Sequence, residues 1–273
     1  MNYVQLSIAP ITVDESEILI AELSEMGFDA FEEGEHILHA FVAENIFQEK
    51  SVNAFLSPKY SFVKNIIVEK NWNEEWEKNF QPIVVDDFCS IRAEFHAYVP
   101  GTMHDIIITP KMSFGTGHHA TTYMMIRAMK DIDFLGKSVL DVGTGTGILA
   151  ILAEKCGAES VLAIDNDEWS IRNAQENTNL NQAARITVEK RNSTHGTGVF
   201  DIILANINKN FIVENLSNLR QHLSGDGVLL VSGFLQQDLS EIEKEAEKNN
   251  LIICAPPQFR ENWLCLKLKK STI

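Results

Sequence analysis

Ser138-Val139-Leu140-Asp141-Val142-Gly143-Thr144-Gly145-Thr146-Gly147-Ile148-Leu149-Ala150 reads as an apolar strand, a turn with glycine at every second position, and the start of a helix carrying Ala150, Ala153 and Cys156. Glycines in such a turn let the backbone bend sharply and approach a ligand without Cβ collisions. A strand, turn and helix joined in this way form a nucleotide or nucleoside site. The spacing is G-x-G-x-G with Asp141 ahead of it, whereas dinucleotide folds use G-x-G-x-x-G, so a nicotinamide cofactor is disfavoured.

Downstream of the turn, the strand-like run Ser160 to Asp165 ends in a carboxylate 22 positions after Gly143. That is where an acid can accept both hydroxyls of a ribose, which makes Asp165 the candidate ribose ligand. Asp167 is the alternative if the strand ends later, its other role being the N-cap of a helix holding Ile171 and Ala174. A further strand, Phe200 to Ala205, terminates at Asn206-Ile207-Asn208-Lys209. Ligands of open sheets sit beyond such carboxyl ends, so Asn206 is a candidate for handling the reacting group; its plainer reading is a cap at a strand-helix turn. Strands and helices alternate from Val139 onward, the signature of a mainly parallel, doubly wound sheet.

Upstream lies a different pattern. Residues 3 to 8 read as a strand, Asp14 to Met26 as a helix ended by Gly27, Ala30 to Glu32 and Ile37 to Val42 as two short strands, Glu44 to Leu56 as a helix and Phe62 to Val68 as a strand. The order βαββαβ predicts a small ferredoxin-like α+β domain over residues 1–69. Trp72, Trp76 and Phe80 step by four along one helix face ahead of Pro82, which predicts a linker helix over 70–85 that packs through this stripe. Residues 86–273 form the remaining, larger domain.

The 273 residues are 45% hydrophobic, enough for two domains with proper cores. The formal net charge is -15, which disfavours tight binding to bare nucleic acid and suits a basic partner. Residues 1–69 hold three Lys and no Arg against ten Glu and two Asp, a net of -9. The plainer reading of that excess is a solvated acidic surface. Cys89, Cys156, Cys254 and Cys265 are scattered without C-x-x-C spacing, and His118 and His119 are adjacent, so no metal site is expected. Nowhere do 18 apolar residues run together, and the first residues lack the form of a signal peptide; the expectation is a cytoplasmic protein that is not in the membrane.

The D-x-G-x-G-x-G form of residues 141–147 resembles the first motif of class I methyltransferases, and Asn206 resembles the first position of the motif by which amino methyltransferases handle the target nitrogen. Phe114-Gly115-Thr116-Gly117-His118-His119-Ala120-Thr121-Thr122, the Trp-rich stretch before it and Leu204-Ala205-Asn206-Ile207 together resemble the ribosomal protein L-eleven methyltransferase family, in order and over about residues 71 to 235. The resemblance implies a Rossmann-like, mainly parallel seven-stranded sheet that binds S-adenosylmethionine, joined to a small substrate-recruiting domain. It implies methylation of lysine side-chain or N-terminal amino groups of a large-subunit ribosomal protein, free or on the ribosome, by a monomer with no sequence-specific nucleic-acid binding of its own. Its implied cofactor contacts are Thr122, Asp141, Gly143, Gly145, Asp165 and Asn206, with Asn206 also orienting the amine. Thr122 falls at the predicted start of a helix over 122–129, where a hydroxyl and free backbone N–H groups can meet a carboxylate. A methyltransferase acting on another protein or a small-molecule amine, and a non-catalytic ribosome-associated binder, are the alternatives.

Overall fold

A computed structural model describes residues 2–67, 80–109 and 117–271. The chain divides into two compact units, Met1–Asn79 and Phe80–Ile273.

In the first unit β1 (Tyr3–Ile8), α1 (Val13–Glu25), β2 (Ala30–Gly34), β3 (Ile37–Ala43), α2 (Glu49–Leu56) and β4 (Phe62–Ile67) follow the expected βαββαβ order. The sheet runs β2-β3-β1-β4 with every pairing antiparallel, a ferredoxin-like arrangement. Alternate residues Val4, Leu6 and Ile8 of β1 are buried with Leu19, Leu23, Val52 and Leu56 of the two helices. Helix α1 starts where Thr12 and Glu15 form a reciprocal capping box, one residue before the predicted start. Helix α2 starts five residues later than predicted, at Glu49. Residues 44–47 are instead a turn, in which the Ile46 and Phe47 amides both donate to the Ala43 carbonyl, and Phe47 packs edge-on against Phe28.

The predicted linker helix lies, as far as residue 79, outside the described residues; beyond it Ile83–Val85 is extended rather than helical and forms β5. With β6 (Cys89–Ala93) and β7 (His104–Ile108) it makes a small sheet in the order β5-β6-β7. The main sheet then builds from β8 (Ser138–Val142), β9 (Ser160–Asp165), β10 (Ile186–Lys190), β11 (Phe200–Asn206), β12 (Leu223–Leu235), β13 (Leu251–Ile253), β14 (Gln258–Arg260) and β15 (Trp263–Lys270). Helices α3 (Ala120–Met129), α4 (Ile148–Lys155), α5 (Glu168–Leu180), α6 (Lys209–His222) and α7 (Leu239–Lys248) connect or flank these strands.

Seven strands lie in the order β10-β9-β8-β11-β12-β15-β13, and β14 adds an eighth by pairing with the free half of β15. Pairings from β10 through β12 are parallel, while β15 runs antiparallel to both its neighbours. The central strands β8 and β11 are apolar on both faces, as parallel strands covered by helices must be. Val139, Ile202 and Leu204 pack with Met125 of α3 and Ile151 of α4 on one face, and Leu140, Ile203 and Ala205 pack with Ile212 of α6 and Ile242 of α7 on the other. The chain steps outward from β8 to β9 and β10, then returns to the other side of β8 as β11. That reversal opens a crevice at the carboxyl ends of β8 and β11, where the glycine turn and Asn206 both lie. Among the described residues no helix is long and apolar enough to cross a membrane. The four cysteines are free thiols.

Candidate active site

The glycine turn is built as its sequence demands. Gly143, Gly145 and Gly147 have φ of 69°, 55° and 81°, a left-handed backbone that residues with a Cβ rarely adopt. The turn is tied to the neighbouring strand by the Gly143 and Thr144 amides, which donate to the Ile164 carbonyl at 2.9 and 3.0 Å. It closes on itself through the Gly147 amide and the Thr144 carbonyl at 2.8 Å. Helix α4 follows with no side-chain cap, so its positive end faces the turn.

A cavity of about 550 Å³ opens at the crevice. Gly143, Gly145, Asp165, Asn166 and Ser170 wall it on one side, and Arg191 to Thr194, which follow β10, continue that side. Asn206, Ile207, Phe211, Gly233, Trp263 and His119 wall the other.

Asp165 stands at the carboxyl end of β9 with each oxygen holding one backbone amide. Oδ2 accepts from Gly145 at 3.0 Å and Oδ1 from Asp167 at 3.0 Å, which leaves lone pairs on both oxygens for a ligand. Asp167 is off the cavity wall and caps α5, accepting from the Ser170 amide at 2.8 Å and the Ser170 hydroxyl at 3.0 Å.

Asn206 ends β11. Its Nδ2 donates to the Thr122 hydroxyl at 3.2 Å, and its Oδ1 is buried without a hydrogen-bond partner among the described residues. The capping task belongs to Asn208, whose Oδ1 accepts from the Phe211 amide at 3.0 Å at the start of α6. Buried acceptors are rarely left unmatched, so the free Asn206 oxygen marks a place where a donor belongs.

Thr122 is 1% exposed and sits behind Asn206 rather than on the wall. The helix that carries it begins at Ala120, two residues before the predicted start, because the His119 imidazole supplies the cap by accepting from the Thr121 amide at 3.3 Å. His119 and Thr121 line the cavity in its place.

Asp141 is likewise off the wall, 1% exposed beneath the turn, where the Thr144 hydroxyl donates to its Oδ2 at 2.6 Å. Burial pushes its carboxyl from an ordinary 3.8 up to about 7, with the neighbouring Asp165 adding to the rise and the Thr144 hydroxyl opposing it. Between those two values the folded chain holds a proton that the unfolded chain has lost. Stability from this group therefore falls as pH rises from about 4 to about 7 and stays at its lower level above. Asp141→Asn, which cannot ionise, is expected to gain about 3 kcal/mol more over the parent at pH 8 than at pH 5. Urea titrations at the two pH values measure this, and an equal gain at both would place the proton elsewhere.

Gly233, Trp263 and the stretch 191–194 have no counterpart in the sequence reading. Gly233 interrupts β12 at a shift in register between Ser232 and Phe234. It has φ 104°, and a Cβ there would lie 2.1 Å from the Ile207 carbonyl oxygen. A lone glycine inside a strand pattern is the available signal for such a bulge. Trp263 opens β15 opposite Leu235 and meets the His119 ring edge-on with centroids 4.6 Å apart. Residues 191–194 were readable only by applying the strand-end rule to β10 as well.

The family model described as ribosomal protein L11 methyltransferase (PrmA) matches residues 13–271. The chain is 39% identical to the ribosomal protein L11 methyltransferase of Bacteroides fragilis, over 94% of this chain and 95% of that one. It is 41% identical to the protein of the same name from Porphyromonas gingivalis, over 92% of this chain and 89% of that one. Among solved structures, the ribosomal protein L11 methylase of Lactobacillus delbrueckii subsp. bulgaricus superimposes with a TM-score of 0.66 at 31% identity, covering 70% of this chain and 100% of that one. With a family match across nearly its full length, and a glycine turn and strand-end asparagine facing one cavity, the chain belongs to the ribosomal protein L11 methyltransferase family.

Proposed function

We propose that this chain transfers methyl groups from S-adenosylmethionine to lysine side-chain or N-terminal amino groups of ribosomal protein L11. The names of its relatives support the substrate, and the observation that carries the chemistry is the Oδ1 of Asn206, buried without a hydrogen-bond partner among the described residues, at the cavity that the glycine turn also lines. The cavity fits the cofactor, with a carboxylate for the ribose at Asp165 and a turn without side chains for the methionine part at Gly143 and Gly145. Asp141 and Thr122 act from behind, the first under the turn and the second on the Asn206 amide.

Bound there, the sulfonium offers an electrophilic methyl carbon. The work left to the protein is alignment and exclusion of water. A lysine amine with an ordinary pKa of about 10.4 is protonated at neutral pH and must give a proton to water before its lone pair can form the new N–C bond as the S–C bond breaks and the thioether S-adenosylhomocysteine leaves. Transfer to a low-dielectric cavity favours that loss. The Asn206 oxygen accepts a hydrogen bond from the neutral amine and turns its lone pair toward the methyl carbon. The acidic unit formed by residues 1–69 recruits the basic protein substrate by charge complementarity. The enzyme works as a monomer in the cytoplasm.

The purified chain, given S-adenosylmethionine and ribosomal protein L11, should add methyl groups that mass spectrometry locates on amines. Binding of S-adenosylhomocysteine without methylation of that protein would move the substrate to another amine, and no binding at all would remove the cofactor assignment. Asp165→Ala should weaken S-adenosylhomocysteine about tenfold or more, since two ribose hydroxyls lose a charged acceptor. Calorimetry decides it, and unchanged affinity would exclude Asp165 as the ribose ligand.

A further inference from the structure

Among the described residues strand β7 pairs only with β6, which leaves its outer edge without a strand neighbour there. Asn173 and Asn177 on α5 and Asn181 at its C-cap, spaced four apart along one face, take the place of that neighbour. Asn181 satisfies both backbone groups of Ile107, accepting from its amide at 3.0 Å and donating to its carbonyl at 2.6 Å. Asn177 accepts from the Thr109 amide at 2.8 Å, and Asn173 donates to the Thr109 carbonyl at 3.2 Å. Asn173 and Asn177 are fully buried, at 0% exposure.

One member of the ladder does more than hold the strand. Asn177 Nδ2 also donates to the Thr146 carbonyl at 2.8 Å, and Thr146 lies inside the glycine turn. The same helix leans directly on that turn, since a Cβ on Gly147 would meet Ala174 Cα at 3.3 Å. A single side-chain amide thus bridges the turn to Thr109, the residue from which the chain continues toward His119 and Thr121 on the cavity wall. An amide is the side chain that can accept on one side and donate on the other with no charge to bury.

We propose that Asn177 is a positioning residue for the methyl-donor site. It fixes the Thr146 carbonyl, and with it the path of the glycine turn, against the end of β7. Asn181, whose amide donates to the Ile107 and Asn177 carbonyls, fastens β7 to α5. The inference rests on the reading of the cavity as an S-adenosylmethionine site.

Asn177→Asp keeps an acceptor for Thr109 but sets a carboxylate oxygen against the Thr146 carbonyl and Asn173 Oδ1, whereas Asn181→Asp sets one against the Ile107 and Asn177 carbonyls, neither of them in the glycine turn. Both variants should melt at a lower temperature than the parent. In calorimetry on the full chain, at a temperature where circular dichroism shows all three folded, Asn177→Asp should bind S-adenosylhomocysteine at least about tenfold more weakly, and Asn181→Asp within about twofold of the parent. If Asn177→Asp does not fold, Asn177→Ala and Asn181→Ala carry the same comparison. Parental affinity in the Asn177 variant, or equal losses in both, would reduce Asn177 to a strand fastener and overturn the proposal. A parent that binds no S-adenosylhomocysteine would instead overturn the donor reading, and the inference with it.

Discussion

Asn206→Ala should lower kcat and kcat/KM together by roughly 10- to 100-fold, the cost of about 1 to 3 kcal/mol for one hydrogen bond that orients the amine. Its Oδ1 has no hydrogen-bond partner among the described residues, so the interaction is made when the amine arrives and is strongest as the lone pair engages the methyl carbon. Cofactor affinity should change far less than turnover. Stability should fall only slightly, because the start of α6 is capped by Asn208 and the substitution removes just the 3.2 Å bond to Thr122. Raising the pH should restore part of the rate, since more neutral amine forms but it is still misaligned. Single-turnover methylation, melting temperature and cofactor affinity on one preparation separate the outcomes. A destabilised variant that retains full turnover would end the catalytic role of Asn206.

Gly233→Ala should have the largest effect on stability. The new Cβ would lie 2.1 Å from the oxygen and 2.6 Å from the carbonyl carbon of Ile207, and the residue would have to keep φ at 104°. Backbone atoms cannot rotate out of the way as a side-chain tip can, so β11 and β12 must separate locally; a loss of about 3 kcal/mol or more is expected. Ile207 is also the residue against which Gly143 packs, with its Cδ1 2.9 Å from where a Gly143 Cβ would be. Pushing it inward narrows the cavity at the turn, and S-adenosylhomocysteine binding should be lost along with the stability. Gly225→Ala in the same strand is the control, since a Cβ there meets nothing within 4 Å, and should stay within about 0.5 kcal/mol of the parent. Equal melting of the two variants would show that β12 tolerates a side chain at its bulge.

These two residues mark how far the sequence carries. Asn206, Asp165 and the glycine turn could be found because each sits at the end of its own apolar strand, a position written in a few consecutive residues. Those parts of the cavity wall were legible for that reason. Gly233 and Trp263 come to the site only through the antiparallel return of β15 beside β12, and no local pattern announces which residues a distant strand will bring opposite. Thr122 and Asp141 were read as direct contacts, yet both stand behind the wall. Motif spacing gives proximity to a ligand but not the direction a side chain takes. The late start of α2 and the early start of α3 have one feature in common. Each boundary lies beside hydrogen bonds accepted by a group outside the usual capping side chains, the Ala43 carbonyl and the His119 imidazole.

The placement of β15 also bears on when a newly made chain can begin to work. Both β13 and β14 precede it in synthesis, yet among the described residues each pairs with β15 alone, and Trp263 at its start supplies part of the cavity wall. A nascent chain that has already exposed its glycine turn and Asn206 still has an open sheet edge along β12 and an unfinished pocket. Vectorial synthesis therefore delivers the binding residues first and the strand that closes the pocket last. Until Trp263 and the rest of β15 pair with β12, a nascent chain lacks that part of the cavity wall.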